Sequence, residues 1–461
     1  MQGFLYFALL GAHVAAMEEL LTPAEMAQAD ALAGNAAALM DAAGRAVARA
    51  VMQRYQPCRA VVLAGPGNNG GDGRVAAAYL RQAGWPVFVI PAAEARRADI
   101  ERAGLVIDAV FGAGLSRDLP EAVADLLRAA RRLVAIDVPS GIDGATGADR
   151  GGAPHAALTV TFFRRKPGHL LYPGRAHCGE VLLRDIGLPA SVLETIKPQT
   201  WRNGPWLFAL PRRAATDHKY ASGDVTIISG ALGGAARLAA AAARRGGAGM
   251  VTLAAPVPMV LPEAGLILRT GSLESLLADP RRAVWVCGPG LDPDDAAAKL
   301  AQLLAAGGRK ILADAGALTA CAGAPEKLRG VCVITPHEGE FTRVFGAIGP
   351  DRLAAVRHAA RITGAVTLLK GPATIIAAPD GRAAINDNAP PWLATGGTGD
   401  VLAGLIAALL AQDMDPFAAA CAGAWLHGEA ANAIGPGLIA EDLPAAIGKV
   451  MNLNHDSAQR R

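Results

Sequence analysis

Aromatic residues are scarce: six Trp, five Tyr and ten Phe make up 5% of 461 residues. So few rings disfavour a stacking platform for single-stranded nucleic acid. Charge of one sign is not in excess either. Forty-four Lys and Arg stand against 41 Asp and Glu, a formal net charge of +3. That is too balanced for a nucleic-acid coat or a polybasic membrane binder, so neither partner is expected. No apolar run reaches the roughly 18 residues that mark a membrane-crossing helix. The six cysteines (Cys58, Cys178, Cys287, Cys321, Cys332 and Cys421) form no CxxC pair and no zinc-spaced cluster with His. They read as small buried hydrophobes in a reducing compartment, and a cytoplasmic location is expected. Met1–Ala16 is apolar, but no Lys or Arg precedes its apolar stretch, unlike a signal peptide. An extension is expected there, with the fold starting near Met17.

What is present points to an enzyme-sized α/β chain. Hydrophobic residues are 52% and charged residues 18%, which excludes disorder for the bulk of the chain. The length suits two or three domains. Thr22-Pro23-Ala24-Glu25 reads as a helix start, with Thr as N-cap and Pro at the first helical position. Short apolar runs then alternate with helical stretches. Strands are expected at 59–64, 86–90, 105–110, 133–138 and 158–163, and helices at 74–82 and 121–132. The pattern pauses between Lys197 and Ser222, among Trp and Pro residues, and a boundary is placed near residue 205. Alternation then restarts, with strands expected at 224–229, 251–254, 283–286, 310–313, 331–334 and 366–369 and a helix at 235–245. A hairpin is expected around Pro379-Asp380-Gly381. Continuous apolar strands alternating with helices argue for parallel sheets covered on both faces, in two successive α/β domains over 17–205 and 206–452.

In the first half, Gly65-Pro66-Gly67-Asn68-Asn69-Gly70-Gly71-Asp72-Gly73 follows a strand and precedes a helix. It contains a literal GxGxxG, a weak signal alone, and reads as a loop that lets backbone approach an anion at a helix start. A Walker A loop would need Gly-Lys-Ser/Thr at its end and finds Gly-Asp-Gly. Two further strand ends carry Asp108, before Gly112–Leu115, and Asp137, before Val138-Pro139-Ser140-Gly141. In an open parallel sheet such ends face one crevice. Asn69, Asp108 and Ser140 offer only oxygen ligands, which suits a hard cation. Lys166 follows the strand ending at Phe163 and is able to reach the same mouth.

Together with Lys166-Pro167-Gly168, these motifs resemble the NAD(P)H-hydrate epimerase family over about residues 20–200. The resemblance implies a Rossmann-like three-layer sandwich. It implies that Asn68, Asn69, Gly70, Gly71 and Asp72, with Gly112, Ala113, Gly114, Leu115, Ser116, Arg117 and Asp118, bind the substrate. It further implies a potassium ion on Asn69, Asp108 and Ser140, and proton traffic through Asp137, which also touches substrate, and Lys166. Met40-Asp41-Ala42-Ala43-Gly44 departs from the family's usual Met-Glu-Asn-Ala-Gly and lacks its Asn.

The second half is dominated by Thr395-Gly396-Gly397-Thr398-Gly399-Asp400, a Gly-rich loop running into the apolar stretch Val401–Leu410. Backbone N–H groups at a helix start stabilise a transferring phosphoryl group. Asp400, in the first turn, is placed to accept the proton of an attacking hydroxyl. Lys370-Gly371-Pro372-Ala373-Thr374 joins two strands, and His337, Gly290 and Ala235 each follow a strand. This set resembles the ribokinase-like superfamily, within it the ADP/ATP-dependent NAD(P)H-hydrate dehydratases, over about residues 214–450. The resemblance implies a ribokinase-like three-layer sandwich. Ala235, Gly290, His337 and Asp400 would contact the hydrated dinucleotide, and Lys370, Gly371, Pro372, Ala373, Thr374 and Gly399 the adenine nucleotide. Gly316 stands where the family usually has a second Asp after Asp314, and Asp292 where it often has Gly. The implied chemistry is repair of NADHX and NADPHX. The first half interconverts R and S hydrates, and the second dehydrates the S form with ADP as co-substrate and Mg²⁺, leaving AMP and phosphate. A homo-oligomer is expected. The competing readings are a small-molecule kinase of the same superfamily and, for the first half, a non-catalytic nucleotide-binding module.

Overall fold

The computed structural model describes residues 18–258, 261 and 263–459. The expected extension at Met1–Ala16 and the start near Met17 lie outside them. The chain divides between Arg202 and Asn203 into two compact units. Asn203 shows why the second unit begins there. It is buried and donates from Nδ2 to Asn386 Oδ1 (2.8 Å) and to the Cys421 carbonyl (2.9 Å).

In the first unit, Thr22 accepts from the Glu25 N–H while Glu25 accepts from the Thr22 N–H, the reciprocal cap that the local sequence calls for. The helix Pro23–Ala33 ends at Gly34 in the left-handed region, and Asn35 caps a second helix, Ala36–Arg54. The strands are β1 (Ala60–Ala64), β2 (Val87–Pro91), β3 (Leu105–Ala109), β4 (Leu133–Ile136), β5 (Leu158–Phe162), β6 (Glu180–Arg184) and the short β7 (Thr200–Arg202). The first six form a sheet in the order β2-β1-β3-β4-β5-β6, with every pairing parallel. β1, β3, β4 and β5 are buried along their whole length, as strands covered on both faces must be. The chain reverses its direction of travel across the sheet between β1 and β3, so the loops after these strands part and leave a crevice.

Asn68–Gly73 is not loop: the helix runs from Asn68 to Gln82, with Gly67 as N-cap. The glycines serve close packing, and none of Gly65, Gly67, Gly70, Gly71 and Gly73 has a positive φ. A Cβ on Gly70 would run into the Gly65 carbonyl. One on Gly73 would lie 2.5 Å from Ala109 Cβ and 2.9 Å from Val62 Cγ1. The helix can therefore start directly against β1 and β3.

In the second unit the strands are β8 (Asp224–Ile228), β9 (Met250–Ala254), β10 (Ile267–Arg269), β11 (Val284–Cys287), β12 (Lys310–Ala313), β13 (Val333–Ile334), β14 (Val366–Leu369), β15 (Thr374–Ala377) and β16 (Ala383–Asn386). Their order is β10-β9-β8-β11-β12-β13-β14-β15-β16. Pairing is parallel through β14 and antiparallel for β15 and β16, which make the hairpin closed by Pro379-Asp380-Gly381. The apolar helices Thr398–Ala411 and Pro416–Ile434 are almost wholly buried. Small residues set the approach: a Cβ on Gly404 would collide with the Ala239 carbonyl of the helix Gly233–Arg245. Among the described residues, no helix is long and apolar enough to cross a membrane, and the six cysteines are unpaired.

Candidate active sites

The crevice of the first unit opens into a cavity of about 630 Å³. Asn68, Asn69, Asp72, the run Gly112–Arg117, Asp137 and Lys166 line it, with Met40 and Ala43 from the helix Ala36–Arg54. Asp137 ends β4 with φ 67°. Its Oδ2 accepts from the Ala113 N–H (2.9 Å), tying the loop after β3 in place. Its Oδ1 lies 2.6 Å from Lys166 Nζ and accepts from Thr161 Oγ1 (3.0 Å). Lys166 is only 2% exposed and also donates to Thr161 Oγ1 (3.0 Å). Burial alone would raise the Asp137 pKa, but the Lys166 ammonium and these donors bring it down to about 2. His169 Nδ1 accepts from the Lys166 N–H, which leaves Nε2–H to donate to the Asp137 carbonyl (2.7 Å). Burial and Lys166 push that ring down to about 4, so it is neutral at pH 7. Asp72 faces the same cavity, and burial together with the Asp137 charge pushes it up to about 8. One carboxyl is thus protonated and one ionised within a single cavity.

Asp108 lies behind this wall, fully buried. It accepts from Ser140 Oγ–H (2.6 Å), Ser140 N–H (2.8 Å) and Val110 N–H (3.2 Å). None of these donors is cationic, and burial raises its pKa to about 6. Ser140 Oγ in turn takes the Phe111 N–H (2.9 Å). Asn69 Nδ2 is buried without a partner.

In the second unit the carboxyl ends of β12, β13 and β14 converge on the start of the helix Thr398–Ala411. Gly397, at φ 90°, caps that helix, and Thr398 Oγ1 donates to the Leu393 and Thr395 carbonyls (2.9 and 3.1 Å). Asp400 stands in its first turn. Lys370 Nζ, at the end of β14, lies 2.8 Å from Asp314 Oδ1 and 4.0 Å from Glu340 Oε2. A Cβ on Gly399 would sit 3.3 Å from the same Nζ. Burial would lower the Lys370 pKa, but Asp314 and Glu340 hold it above its usual value. Burial and the Asp314 charge push Asp400 up to about 6, with Lys370 opposing.

The amino-acid sequence matches two family models: one described as NAD(P)H-hydrate dehydratase over residues 225–451, and one described as YjeF-related protein N-terminus over 36–103 and 91–168. The bifunctional NAD(P)H-hydrate repair enzyme Nnr of Moorella thermoacetica is 36% identical, covering 89% of this chain and 91% of that protein. The chain belongs to the bifunctional NAD(P)H-hydrate repair enzyme family. The Escherichia coli member is 34% identical, covering 94% of each chain. A solved ADP/ATP-dependent NAD(P)H-hydrate dehydratase from Bacillus subtilis, co-crystallised with ATP/Mg²⁺, is 28% identical. It covers 53% of this chain and 94% of its own, with a TM-score of 0.45. Within this repair enzyme family the first unit is the epimerase region and the second the dehydratase region.

Of the residues the family resemblance assigns, the structure gathers most but not all. Gly70 and Gly71 are packed against Gly65 and Met40 and do not line the cavity, nor does the exposed Asp118. The helix that lacks the family's Asn presents Met40 and Ala43 to the cavity instead, while Asp41 accepts from the Tyr79 hydroxyl (3.0 Å). Ala235 and Gly290 meet: a Cβ on Gly290, at φ 72°, would lie 3.4 Å from Ala235 Cβ. His337 caps the helix Glu338–Phe345 and bridges to Lys370. Gly371–Ala373 bend between β14 and β15, and Thr374 Oγ1 donates to the Gly371 carbonyl (3.2 Å). Gly316 stands where a Cβ would collide with the Leu291 carbonyl, and Asp292 accepts from Asp295 N–H as a helix cap. Sequence reasoning missed Asp314 and Glu340 as the partners of Lys370. It also missed His427, whose ring hydrogen-bonds the Thr398 backbone and whose Nε2 is buried without a partner. Asp314 was visible as a polar residue at a strand end, the same signal that marked Asp108.

Proposed function

We propose that Asp137, Lys166 and Asp72 move protons at C6 of the hydrated nicotinamide in the first unit. Protonated Asp72 donates to the hydroxyl as the ring nitrogen lone pair breaks the C6–O bond, leaving water and a cationic ring beside ionised Asp137. Water then adds to either face, and its extra proton returns to Asp72 directly or by way of Asp137 and Lys166. The observation that carries this is that Asp137, 2.6 Å from Lys166 Nζ, and Asp72 line one cavity, where the lysine holds the first carboxyl down and burial with the Asp137 charge pushes the second up. A potassium ion fits behind the wall. Asp108 is a buried carboxylate with no cationic partner, and Ser140 Oγ and the Asn69 amide add the oxygen donors such an ion takes. Bound there, the ion would neutralise Asp108 and fix the loop after β3. Epimerisation of R-NADHX followed by NMR tests the assignment, with loss in Asp137→Asn and retention in a surface control.

In the second unit Asp400 takes the proton of the C6 hydroxyl as it attacks the terminal phosphoryl group of ADP. The C6–O–P bond forms, AMP leaves, and the ring nitrogen lone pair then expels phosphate. The N–H groups at the head of the helix Thr398–Ala411 and the Lys370 ammonium face the phosphoryl charge. Lys370 through Thr374 and Gly399 hold the nucleotide, and Ala235, Gly290 and His337 the dinucleotide. Among the described residues no cluster of three His, Cys, Asp or Glu side chains could hold a metal. That fits Mg²⁺ carried in on the phosphates, where it would neutralise their charge. The carrying observation is the position of Asp400, in the first turn of the helix Thr398–Ala411 and in no salt bridge among the described residues, where burial and the Asp314 charge raise it. Incubation with S-NADHX and ADP tests it: reduced-nicotinamide absorbance should return. A stable phosphate ester without that return would make the unit a kinase.

A further inference from the structure

A second cavity of about 630 Å³ lies in the dehydratase unit, outside the residues assigned above. Its floor is one stripe of the helix Gly233–Arg245: Gly234, Arg237, Leu238, Ala241, Arg244 and Arg245 recur at helical spacing and share one face. The stripe starts beside Ala235 and runs about 15 Å, at about 1.5 Å per residue. It also borders the phosphoryl loop. A Cβ on Gly397 would lie 2.6 Å from Leu238 Cδ1 and 3.0 Å from Ala440 Cβ, next to Glu441 in the cavity wall.

The charges along the stripe are uneven. Arg237 is paired with Glu263 (3.0 Å), which holds it in place. Arg244 and Arg245, at the far end, are exposed and make no salt bridge among the described residues, although the Arg244 charge is felt at Glu263. Gly265 leaves the room that the Arg244 guanidinium occupies. Three guanidiniums face two carboxylates, Glu263 and Glu441, so the cavity favours an anion, and Asp400 is not among the residues that line it. A dinucleotide whose hydrated ring sits at Ala235 and Asp400 must extend its remaining length somewhere, and this groove has the length and the charge.

We propose that this cavity holds a phosphate group of the dinucleotide substrate, gripped by Arg244 and Arg245. The proposal rests on the dehydratase reading of the second unit. The chemistry is that of a phosphate bound by fork-shaped guanidiniums. Two phosphates of the substrate carry it: the pyrophosphate, common to both hydrates, and the 2′-phosphate, present only in NADPHX.

The test uses the full chain carrying both Arg244→Ala and Arg245→Ala, with KM and kcat measured for S-NADHX, S-NADPHX and ADP. Loss of charge-assisted contacts should raise the dinucleotide KM about tenfold, and the loss should fall on KM rather than kcat. An equal rise for both hydrates assigns the pyrophosphate; a rise confined to S-NADPHX assigns the 2′-phosphate. An unchanged dinucleotide KM overturns the proposal, as does a rise seen for ADP alone. Ala241→Phe, which fills the groove without touching charge, should raise the KM of both hydrates. If the unaltered chain fails to turn over S-NADHX, the dehydratase reading falls. The cavity is then judged by calorimetric binding of NADPH to the unaltered and doubly substituted chains, where equal affinity overturns it.

Discussion

The two sites solve one electrostatic problem in opposite ways. Each places a lysine among carboxylates at the carboxyl ends of parallel strands. In the epimerase unit the lysine sits on the carboxylate proposed to take part in the reaction: Lys166 clamps Asp137 and holds it near 2. In the dehydratase unit Lys370 is held by Asp314 rather than by Asp400, and burial and the Asp314 charge leave Asp400 at about 6. A clamped carboxylate is a fixed charge and a weak base. A carboxylate raised by burial and like charge is a better base near neutrality. The difference suits reversible proton exchange in one unit and deprotonation of an alcohol in the other.

The largest effect is expected at the free carboxylate. Asp400→Asn should lower dehydration of S-NADHX by about 10²–10⁴-fold, the usual worth of a general base. Asn keeps an oxygen in the first helical turn, and the lost negative charge does not oppose phosphate, so ADP affinity by calorimetry should hold or rise. Turnover near that of the unaltered chain would erase the contrast between the units.

At the clamped carboxylate the expected effect is on stability as much as on rate. Lys166→Met leaves the half-buried Asp137 without its cation, and breaking such a pair at a cavity wall should cost on the order of 2–3 kcal/mol, below the cost of a wholly buried one. The acid behaviour should change too. A carboxylate depressed to about 2 contributes stability that is present above its unfolded value near 4 and is lost as pH falls through about 2. In the variant Asp137 titrates higher, so that loss should begin at a higher pH. Denaturant unfolding at pH 3 and pH 7 reads both, and equal stability of variant and parent at pH 7 would demote the pair to a surface-like contact.

How much of this was legible in the sequence depends on the range of the interaction. Thr22 and Glu25 are three residues apart, and the cap was read correctly. The buried strands β1, β3, β4, β12 and β14 announced themselves as short apolar runs. The edge strand β6 did not, because Glu180–Arg184 is half exposed, and β10 is only three residues long. Gly65–Gly67 was read correctly as loop but Asn68–Gly73 was not, because Gly73 answers to Val62 and Ala109 on the sheet, contacts that spacing along the chain does not reveal. Asp137 and Lys166 were read together through motif order. Asp314 and Lys370 are 56 residues apart on neighbouring loops and were not. The Asp72 carboxyl was legible as a residue, but its protonation follows from burial and from Asp137, which only the fold supplies.

The pH profiles should separate the units. With Asp400 as the proposed base, dehydration needs it ionised, so kcat/KM should rise with pH through about 6 and level above it. Lys370→Met removes the charge that opposes burial and Asp314, so in that variant the rise should move to higher pH. With Asp72 as the proposed donor, epimerisation needs its proton, so the rate should fall as pH rises through about 8. Profiles that coincide, or a limb unmoved by Lys370→Met, would show that the two lysines are not placed differently in any way that matters to the chemistry.

The smallest expected effect concerns the carboxylate that neither lysine reaches. Asp108 accepts three hydrogen bonds, all from neutral donors, and two of them come from Ser140 on the loop after β4. Ser140 Oγ also takes the Phe111 N–H at the entrance to the Gly112–Arg117 run. A potassium ion on Asn69, Asp108 and Ser140 would therefore act on the rate through the position of that run, not through the reacting atoms. Asp108→Asn keeps the shape and one acceptor oxygen but removes the charge that holds the ion, so the fold should survive. Epimerisation should then proceed a few-fold more slowly and lose its response when potassium chloride replaces choline chloride at constant ionic strength. The dehydratase activity of the same sample is the internal control and should not move. If the potassium response persists in Asp108→Asn, the ion binds elsewhere, and Asp108 is reduced to a brace between the loops after β3 and β4.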